Sequence, residues 1–583
     1  MKRKGGLKLS AAALALSLSL AAGSAGPREL RPRAPPPSWG PEVDAYRYLV
    51  GNRSKDAGAW TAAAAAVRAW TTARDPHSPV YHFRNVEGWL NDPNGLTWDA
   101  ANGLYHRFYQ SRVVGGAFDG RTAWGNSVSP DLVRWKDLPI AMYPDSAWDS
   151  EGVFSGNCVI DDADGVPSCV YTGFVGSHAT SYGVCARSED KSWVNWTKAD
   201  CMDPSRKPNP ADAVNWDSSV WRDNGTYFCL VGGCTASSQG TGFIWSSPDL
   251  ANWELATPTG LWPGGPCPWW ELPYLLPFGD EGRAAPHESA TRHALIFGCG
   301  NSYFLGTFNR SSLQFERQAL QSDAFIFDPG TSYSINPSFV DTKGAGGALR
   351  RIMLTWVRGP ASPTETVPYW QGAHSLPSEL TLSSLNDAAP STLLQHPIPE
   401  LETLRGAHFP PVSVVAAAGV NESTLAATGD ALEVSFAVDL AASANATRVG
   451  LLLRLTPARD HFVSVWLVPA TLNFGTESLG ACGAGCSGDE GSDASGRGAT
   501  RVGDPLSADC AGDGSARSSG TANLRAFIDK SVIEVFCGGG AIRVRDFPAT
   551  PSSAVGIAPF AEGPAGASGA GVVEAWEMGS MWA

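Results

Sequence analysis

The chain has 583 residues, of which 43% are apolar and only 17% charged, and its formal charge is −14. This length and apolar content exclude a wholly disordered chain and point to more than one domain, while the acidic balance argues against a nucleic-acid partner. With 64 Gly, 42 Pro and 22 Trp, the composition favours short strands and tight turns over long helices, and it suits sugar binding.

Lys2, Arg3, Lys4 and Lys8 lead into an apolar run from Leu9 to Ala22, closed by the small residues Gly23, Ser24 and Ala25. This is the pattern of a secretory signal, expected over residues 1–25. The run is shorter than the roughly 20 residues that cross a bilayer, so the mature protein is expected to have no membrane segment. Residues 26–78 are Pro-rich and then Ala-rich, and read as a spacer with a short helix in its Ala-rich part. Twelve cysteines fit an oxidising compartment, with eight between Cys158 and Cys299 and four between Cys482 and Cys537. Both counts are even, so each region can pair internally, but spacing does not fix the connectivity. Cys482, Cys486 and Cys510 lack a zinc spacing, and no metal site is expected. Asn-x-Ser/Thr sequons at Asn52, Asn195, Asn224, Asn309, Asn421 and Asn445 should lie on the surface.

A repeat follows. SPDLVRW ends at Trp135, EDKSWVNW at Trp196, SPDLANW at Trp253, and the looser NRSSLQF at Phe315. A regular step of about 60 residues with strand-like filling predicts a β-propeller with long loops. The innermost strand of each blade lines the central channel, so equivalent residues should recur at that step. Asp92, Ser155, Asp217, Glu271 and Asp328 do so, which predicts five inner strands and a polar ring at one channel mouth.

Three of these residues are candidates for chemistry. Asp92 lies in Trp89-Leu90-Asn91-Asp92-Pro93-Asn94-Gly95, a sharp turn that can present a carboxylate on a rigid base. Glu271 follows Trp269 and Trp270 and precedes Leu272 and Tyr274. Such surroundings desolvate a carboxyl and raise its pKa, as a general acid requires. Asp217, in Trp216-Asp217-Ser218, precedes the strand-like run Thr226–Val231. Paired carboxylates across a sugar are the usual equipment of glycoside cleavage.

After Leu404 the texture changes. Leu432, Val434, Phe436, Val438 and Leu440 alternate with less apolar residues, the pattern of a half-buried strand. Further short strand-like runs extend to Met578, which predicts a β-sandwich over residues 405–583 behind a propeller over 79–400. A Gly/Ser/Asp-rich stretch at 477–520 reads as a flexible insert. It contains the formal dinucleotide pattern Gly483–Gly488, with no strand before it and no helix after it, so that match is rejected.

The segment Trp89–Gly95 resembles the Asn-Asp-Pro-Asn-Gly signature of glycoside hydrolase family 32, the invertases and fructan hydrolases. Tyr105–Gln110, Trp124-Gly125, Phe154-Ser155-Gly156, Trp270-Glu271, Trp370-Gln371-Gly372 with Leu376-Pro377, and Leu524–Phe536 resemble further family segments in the same order. The resemblance implies an all-β chain, a five-bladed β-propeller followed by a C-terminal β-sandwich. It implies hydrolysis of terminal β-D-fructofuranosyl bonds in sucrose or fructans, with retention and without cofactor. Asp92 would attack the anomeric carbon, Glu271 would act as acid and then base, and Asp217 would hold fructose hydroxyls. Retention places the two carboxyls roughly 5 Å apart. Asn91, Gln110, Trp124, Ser155 and Trp89 would line the fructose pocket. A secreted, extracellular or cell-wall protein is implied, with a vacuolar destination as the alternative.

Two departures stand out. The family pattern has Arg-Asp-Pro where this chain has Trp216-Asp217-Ser218, so a guanidinium is replaced by an indole with a single donor. Leu272 follows Glu271 where the family has Cys or a similar small residue. Fructosyl transfer by the same residues, and a weakened carbohydrate-binding homologue, are the competing readings; a furanosidase acting on arabinosides is opposed by the Asn-Asp-Pro-Asn-Gly match.

Overall fold

The computed structural model describes residues 40–582, except 113–120, 177–180, 203–212, 236–238, 263–267, 298–301, most of 319–337, 344–346, 359–368, 384–390, most of 419–426, 481–507, 511–513 and 546–550. The expected signal, the Gly483–Gly488 pattern and the Asn421 sequon lie outside the described residues. No helix among the described residues is long and apolar enough to cross a membrane.

The described part of the segment expected to be a spacer, residues 40–78, is folded. Helix α1 spans Pro41–Gly51 and α2 spans Ala57–Thr72, with the Asp56 side chain capping α2 at the Ala59 amide. Trp60, Ala64 and Val67 recur at helical spacing and pack with Ala123 and Ile140 of the first sheet. Buried Arg68 grips Asp137 through two hydrogen bonds of 2.8 Å. Sequence reading gave this segment no partner because that partner is a tertiary surface.

Sheets built on four consecutive antiparallel strands follow in chain order; Trp370–Gln371 adds a parallel fifth strand to the first, and Phe325–Ile326 a fifth to the fourth. The first contains β1 (Gly88–Asp99), β2 (Leu104–Arg112), β3 (Thr122–Ser129) and β4 (Lys136–Met142). The second contains β5 (Gly152–Ile160), β6 (Pro167–Phe174), β7 (Tyr182–Arg187) and β8 (Thr197–Met202). The third contains β9 (Ala213–Asp223), β10 (Thr226–Cys234), β11 (Gly240–Ser247) and β12 (Glu254–Leu255). The fourth contains β13 (Tyr274–Phe278), β14 (Arg292–Phe297), β15 (Ser302–Asn309) and β16 (Gln314–Arg317). A fifth sheet joins Ser338–Lys343, Leu349–Leu354, Ser378–Leu382 and Leu393–Pro397. First strands neighbour one another across sheets: the Gly156 amide donates to Asn94, the Leu96 amide to Ser338, and Ser219 to the Pro273 carbonyl. This is a β-propeller.

The sequence repeat is the turn between the third and fourth strands of a sheet. Asp131 accepts from the Val133 and Arg134 amides, and Asp249 from those of Ala251 and Asn252. Leu132, Trp193 and Leu250 take positive φ, and each carbonyl accepts from the indole of Trp135, Trp196 or Trp253 three residues on. The repeat is thus an Asx-turn closed by its own aromatic residue.

The sandwich packs a six-stranded sheet on a five-stranded one, with Val434, Phe436, Leu451, Val465 and Ile533 in its core. The expected insert is narrower than 477–520: residues 473–480 form one strand, 515–519 a short helix, and Cys510 is bonded to Cys537. Cys158–Cys169 and Cys185–Cys201 are also bonded, each within the second sheet. The sequon residues Asn52, Asn195, Asn224, Asn309 and Asn445 are exposed.

A buried charge network joins the two units. Asp529 accepts from the amides of Val80, Tyr81 and His82 at 2.7–2.8 Å, and from the His82 ring at 2.9 Å. The other His82 nitrogen meets Glu534 at 3.1 Å, and Glu534 accepts from Arg543 at 2.9 Å. Arg543 also reaches Asp328 at 3.1 Å. Asp328 is therefore not a channel residue, which corrects the expected polar ring: the fifth inner strand begins later, at Ser338. A period read from sequence places an element but not the side chain that fills it.

Candidate active site

Three inner strands carry a β-bulge where the candidate residues sit. Between Leu90↔Ser111 and Pro93↔Tyr109, β1 has one residue more than β2. Between Val153↔Gly173 and Gly156↔Tyr171, β5 has one more than β6. Asp217 is the unpaired residue between Trp216↔Gly232 and Ser218↔Val231, and its φ is 48°. Bulges re-aim side chains, and aspartate accepts left-handed backbone more readily than most residues. Pro93 fits the bulged strand because it has no amide to lose from the ladder. Gly156 is required nearby, since a Cβ there would sit 2.2 Å from the Val170 carbonyl oxygen.

The bulges bring Asp92, Asn91, Gln110 and Ser155 into a closed ring of hydrogen bonds. Gln110 donates to Ser155 Oγ at 2.8 Å, and Ser155 Oγ donates to Asp92 Oδ2. Asn91 Nδ2 donates to Asp92 Oδ1 at 3.3 Å and to Gln110 Oε1. The Trp89 indole fixes Asn91 from behind at 2.9 Å. Asp92 is 5% exposed and ready to accept at both oxygens.

Asp217 and Glu271 face this ring. The Leu272 amide donates to Asp217 Oδ2 at 3.1 Å, the Ser155 amide donates to the same carboxyl, and the Asp217 amide donates to Thr172 Oγ1 at 2.6 Å. Glu271 lies in the segment leading into β13, not on the strand. Leu272 takes φ 44°, which turns its amide toward Asp217. Burial, then the Asp92 charge, push the Glu271 carboxyl up to about 7, against a hydrogen bond donated by Trp216. Burial, then Glu271 and Asp92, also raise Asp217 well above the usual carboxylate range. Among the described residues no cation acts on Glu271. The indole in place of the expected guanidinium therefore gives Glu271 one donor without a positive charge.

Trp124 does not fit its expected place. It is wholly buried, stacks on Phe108, and donates to the Phe154 carbonyl at 3.0 Å, so it braces β5 from behind instead of lining the pocket. Trp270 is likewise core, stacked on Phe297. Sequence reading missed His374, whose Nε2 donates to the Asn91 carbonyl at 2.8 Å; it lies inside the Trp370–Pro377 segment, and that proximity was the only available signal. It also missed Tyr274, whose buried hydroxyl has no hydrogen-bond partner among the described residues and is pushed up by burial and by Asp217 and Asp92. A separate cavity of about 420 Å³, lined by Lys55, Tyr143, Trp148, Trp196 and Lys198, includes none of the site carboxyls. Among the described residues no cluster of His, Cys, Asp and Glu is arranged to hold a metal ion.

A model of the N-terminal domain of glycosyl hydrolases family 32 matches residues 82–397, and a model of the family's C-terminal domain matches 400–577. The chain belongs to glycosyl hydrolase family 32. It is 29% identical over 353 residues to an insoluble β-fructofuranosidase isoenzyme 1 of Oryza sativa subsp. japonica, covering 56% of this chain and 57% of that protein. It is 27% identical over 378 residues to a levanase of Bacillus subtilis, covering 62% of this chain and 53% of that protein. The chain thus matches little over half the length of these curated relatives. An exo-inulinase from Aspergillus awamori shares the fold with TM-score 0.67 and 21% identity, covering 87% of this chain and 99% of that one. A fructan 1-exohydrolase IIa variant from Cichorium intybus in complex with 1-kestose gives TM-score 0.64 and 22% identity, covering 87% and 98%.

Proposed function

We propose that this family-32 protein hydrolyses terminal β-D-fructofuranosyl bonds of sucrose or fructans with retention. The observation that carries the reading is the pairing of an ordered carboxylate, Asp92, with a half-buried carboxyl raised to about 7, Glu271, in one site. Two carboxyls in unlike environments take unlike roles. Asp92 attacks C2 of the fructosyl unit while Glu271 gives its proton to the departing glycosidic oxygen. Water then enters, Glu271 takes its proton, and the ester to Asp92 is broken. Asp217, held by two backbone amides, receives fructose hydroxyls; Asn91, Gln110 and Ser155 hold Asp92 and the sugar. The names of the relatives support a fructoside substrate, and the signal pattern with the disulfides supports an extracellular or cell-wall location.

The test is fructose release from sucrose, inulin and levan. Methanol added as acceptor should give methyl β-D-fructofuranoside by proton NMR; the α anomer would sink the retaining mechanism.

The pH profile tests the acid. The alkaline limb of kcat/KM should fall near pH 7, where Glu271 loses its proton. Trp216→Phe removes the hydrogen bond that favours the charged form, so the limb should move to higher pH. An unmoved limb in Trp216→Phe would show that another group governs it.

A further inference from the structure

Trp216, which donates to Glu271, belongs to a cluster of four aromatic rings. Phe154 and Phe174 stack at 4.8 Å with 8° between their planes. The Trp216 ring meets Phe154 edge-on at 5.6 Å and Phe174 at 6.1 Å. Trp269 meets Trp216 edge-on at 5.8 Å. Trp216 is buried, whereas Phe154, Phe174 and Trp269 each keep part of their surface open. The wall is tied to the chemistry at both ends. Phe154 precedes Ser155, which donates to Asp92, and Trp216 donates to Glu271.

A general acid that protonates the glycosidic oxygen must face the leaving group. Trp216, bonded to Glu271, and Trp269, packed on Trp216, are therefore the part of this wall that borders the leaving-group side. A hexose leaving group presents many hydroxyls that need donors and acceptors, and a guanidinium would supply several in a fixed fork. Here that position is an indole whose single N–H is already given to Glu271. The adjoining surface is made of ring faces and edges, which favour a flat apolar group.

We propose that the leaving-group side of this site is specific for an aromatic aglycone, so that the preferred substrates are β-D-fructofuranosides of aromatic alcohols. This rests on the hydrolytic reading above. Asp92 forms the bond to C2 as the bond from C2 to the aglycone oxygen breaks. The electron pair stays on that oxygen, which takes the Glu271 proton. Water then displaces Asp92 from C2 and returns a proton to Glu271, so the products are fructose and the aromatic alcohol. Trp216, Trp269 and Phe174 determine specificity and take no part in the proton inventory.

The experiment compares benzyl and methyl β-D-fructofuranoside, whose alcohols are nearly equal as leaving groups, so that the ratio of their kcat/KM reports recognition of the ring. The wild type should favour the benzyl compound by about tenfold or more, the size of one or two aromatic contacts. Trp269→Ala and Phe174→Ala should each lower that ratio several-fold, with circular dichroism confirming the fold. A wild-type ratio near one, or a ratio that neither variant changes, overturns the proposal. Binding of the two compounds to Asp92→Asn, followed by tryptophan fluorescence, decides the case without turnover: tighter binding of the benzyl compound supports the proposal, and equal or absent binding sinks it. Hydrolysis of both compounds without preference would remove this inference and leave the hydrolytic reading standing. Absence of hydrolysis with preferential benzyl binding would do the reverse.

Discussion

Asp92→Asn is expected to lower fructose release from sucrose, inulin and levan by roughly 10⁴-fold or more, the usual cost of losing a nucleophile, while the protein stays folded. The amide is nearly isosteric and keeps one acceptor oxygen, so it retains one of the two bonds that Asp92 accepts from Ser155 and Asn91, while its NH2 group can only donate. What it loses is the charge that forms the bond to C2. It also loses the repulsion that Asp92 exerts on Glu271 and Asp217, so the variant should melt no lower than the wild type. The measurement is initial rate on each substrate beside a thermal melt. Equal activity in wild type and variant would remove Asp92 from the mechanism. Equal inactivity with equal binding would instead mark a carbohydrate-binding protein on this fold.

The second large effect concerns the joint between propeller and sandwich. Glu534→Ala should destabilise the protein by about 3–5 kcal/mol, because it leaves two buried cations without their shared carboxylate. Glu534 is fully buried between His82 and Arg543, and its Oε1 also accepts from the Leu376 amide at 2.7 Å. Urea unfolding followed by tryptophan fluorescence reads the loss; a change below about 1 kcal/mol, the range of an exposed pair, would show that the network is not what holds the units together.

The same joint gives a pH dependence. Burial opposes charge on His82, but hydrogen bonds to Asp529 and Glu534 and the charges of those two carboxylates outweigh it and raise the imidazole to about 9. The folded value lies above the unfolded one of about 6.5. The stabilisation is therefore complete below about pH 6.5 and is lost as pH rises toward 9. His82→Gln should flatten the decline in urea midpoint between those pH values.

Much of this protein was legible in the residues alone. Apolar alternation and turn chemistry are local, so Leu432–Leu440 and the Asp131–Trp135 turn announced their structures directly. The Asn-Asp-Pro-Asn-Gly run and the aromatic neighbours of Glu271 marked the two carboxyls that the structure places in one site. Other features depend on contacts between distant segments. The α1–α2 hairpin needed the face of the first sheet, and Arg68 needed Asp137. Asp328 kept the period of a channel residue but belongs to Arg543, 215 positions away. Trp124 is composed like a sugar platform yet is sealed in the core. Pattern and propensity report what a residue can do within its own strand. Bulges at Asp92, Ser155 and Asp217, the His374 bond to Asn91, and the partner that satisfies each buried charge are set by which strands come to lie side by side, and only the tertiary structure decides that.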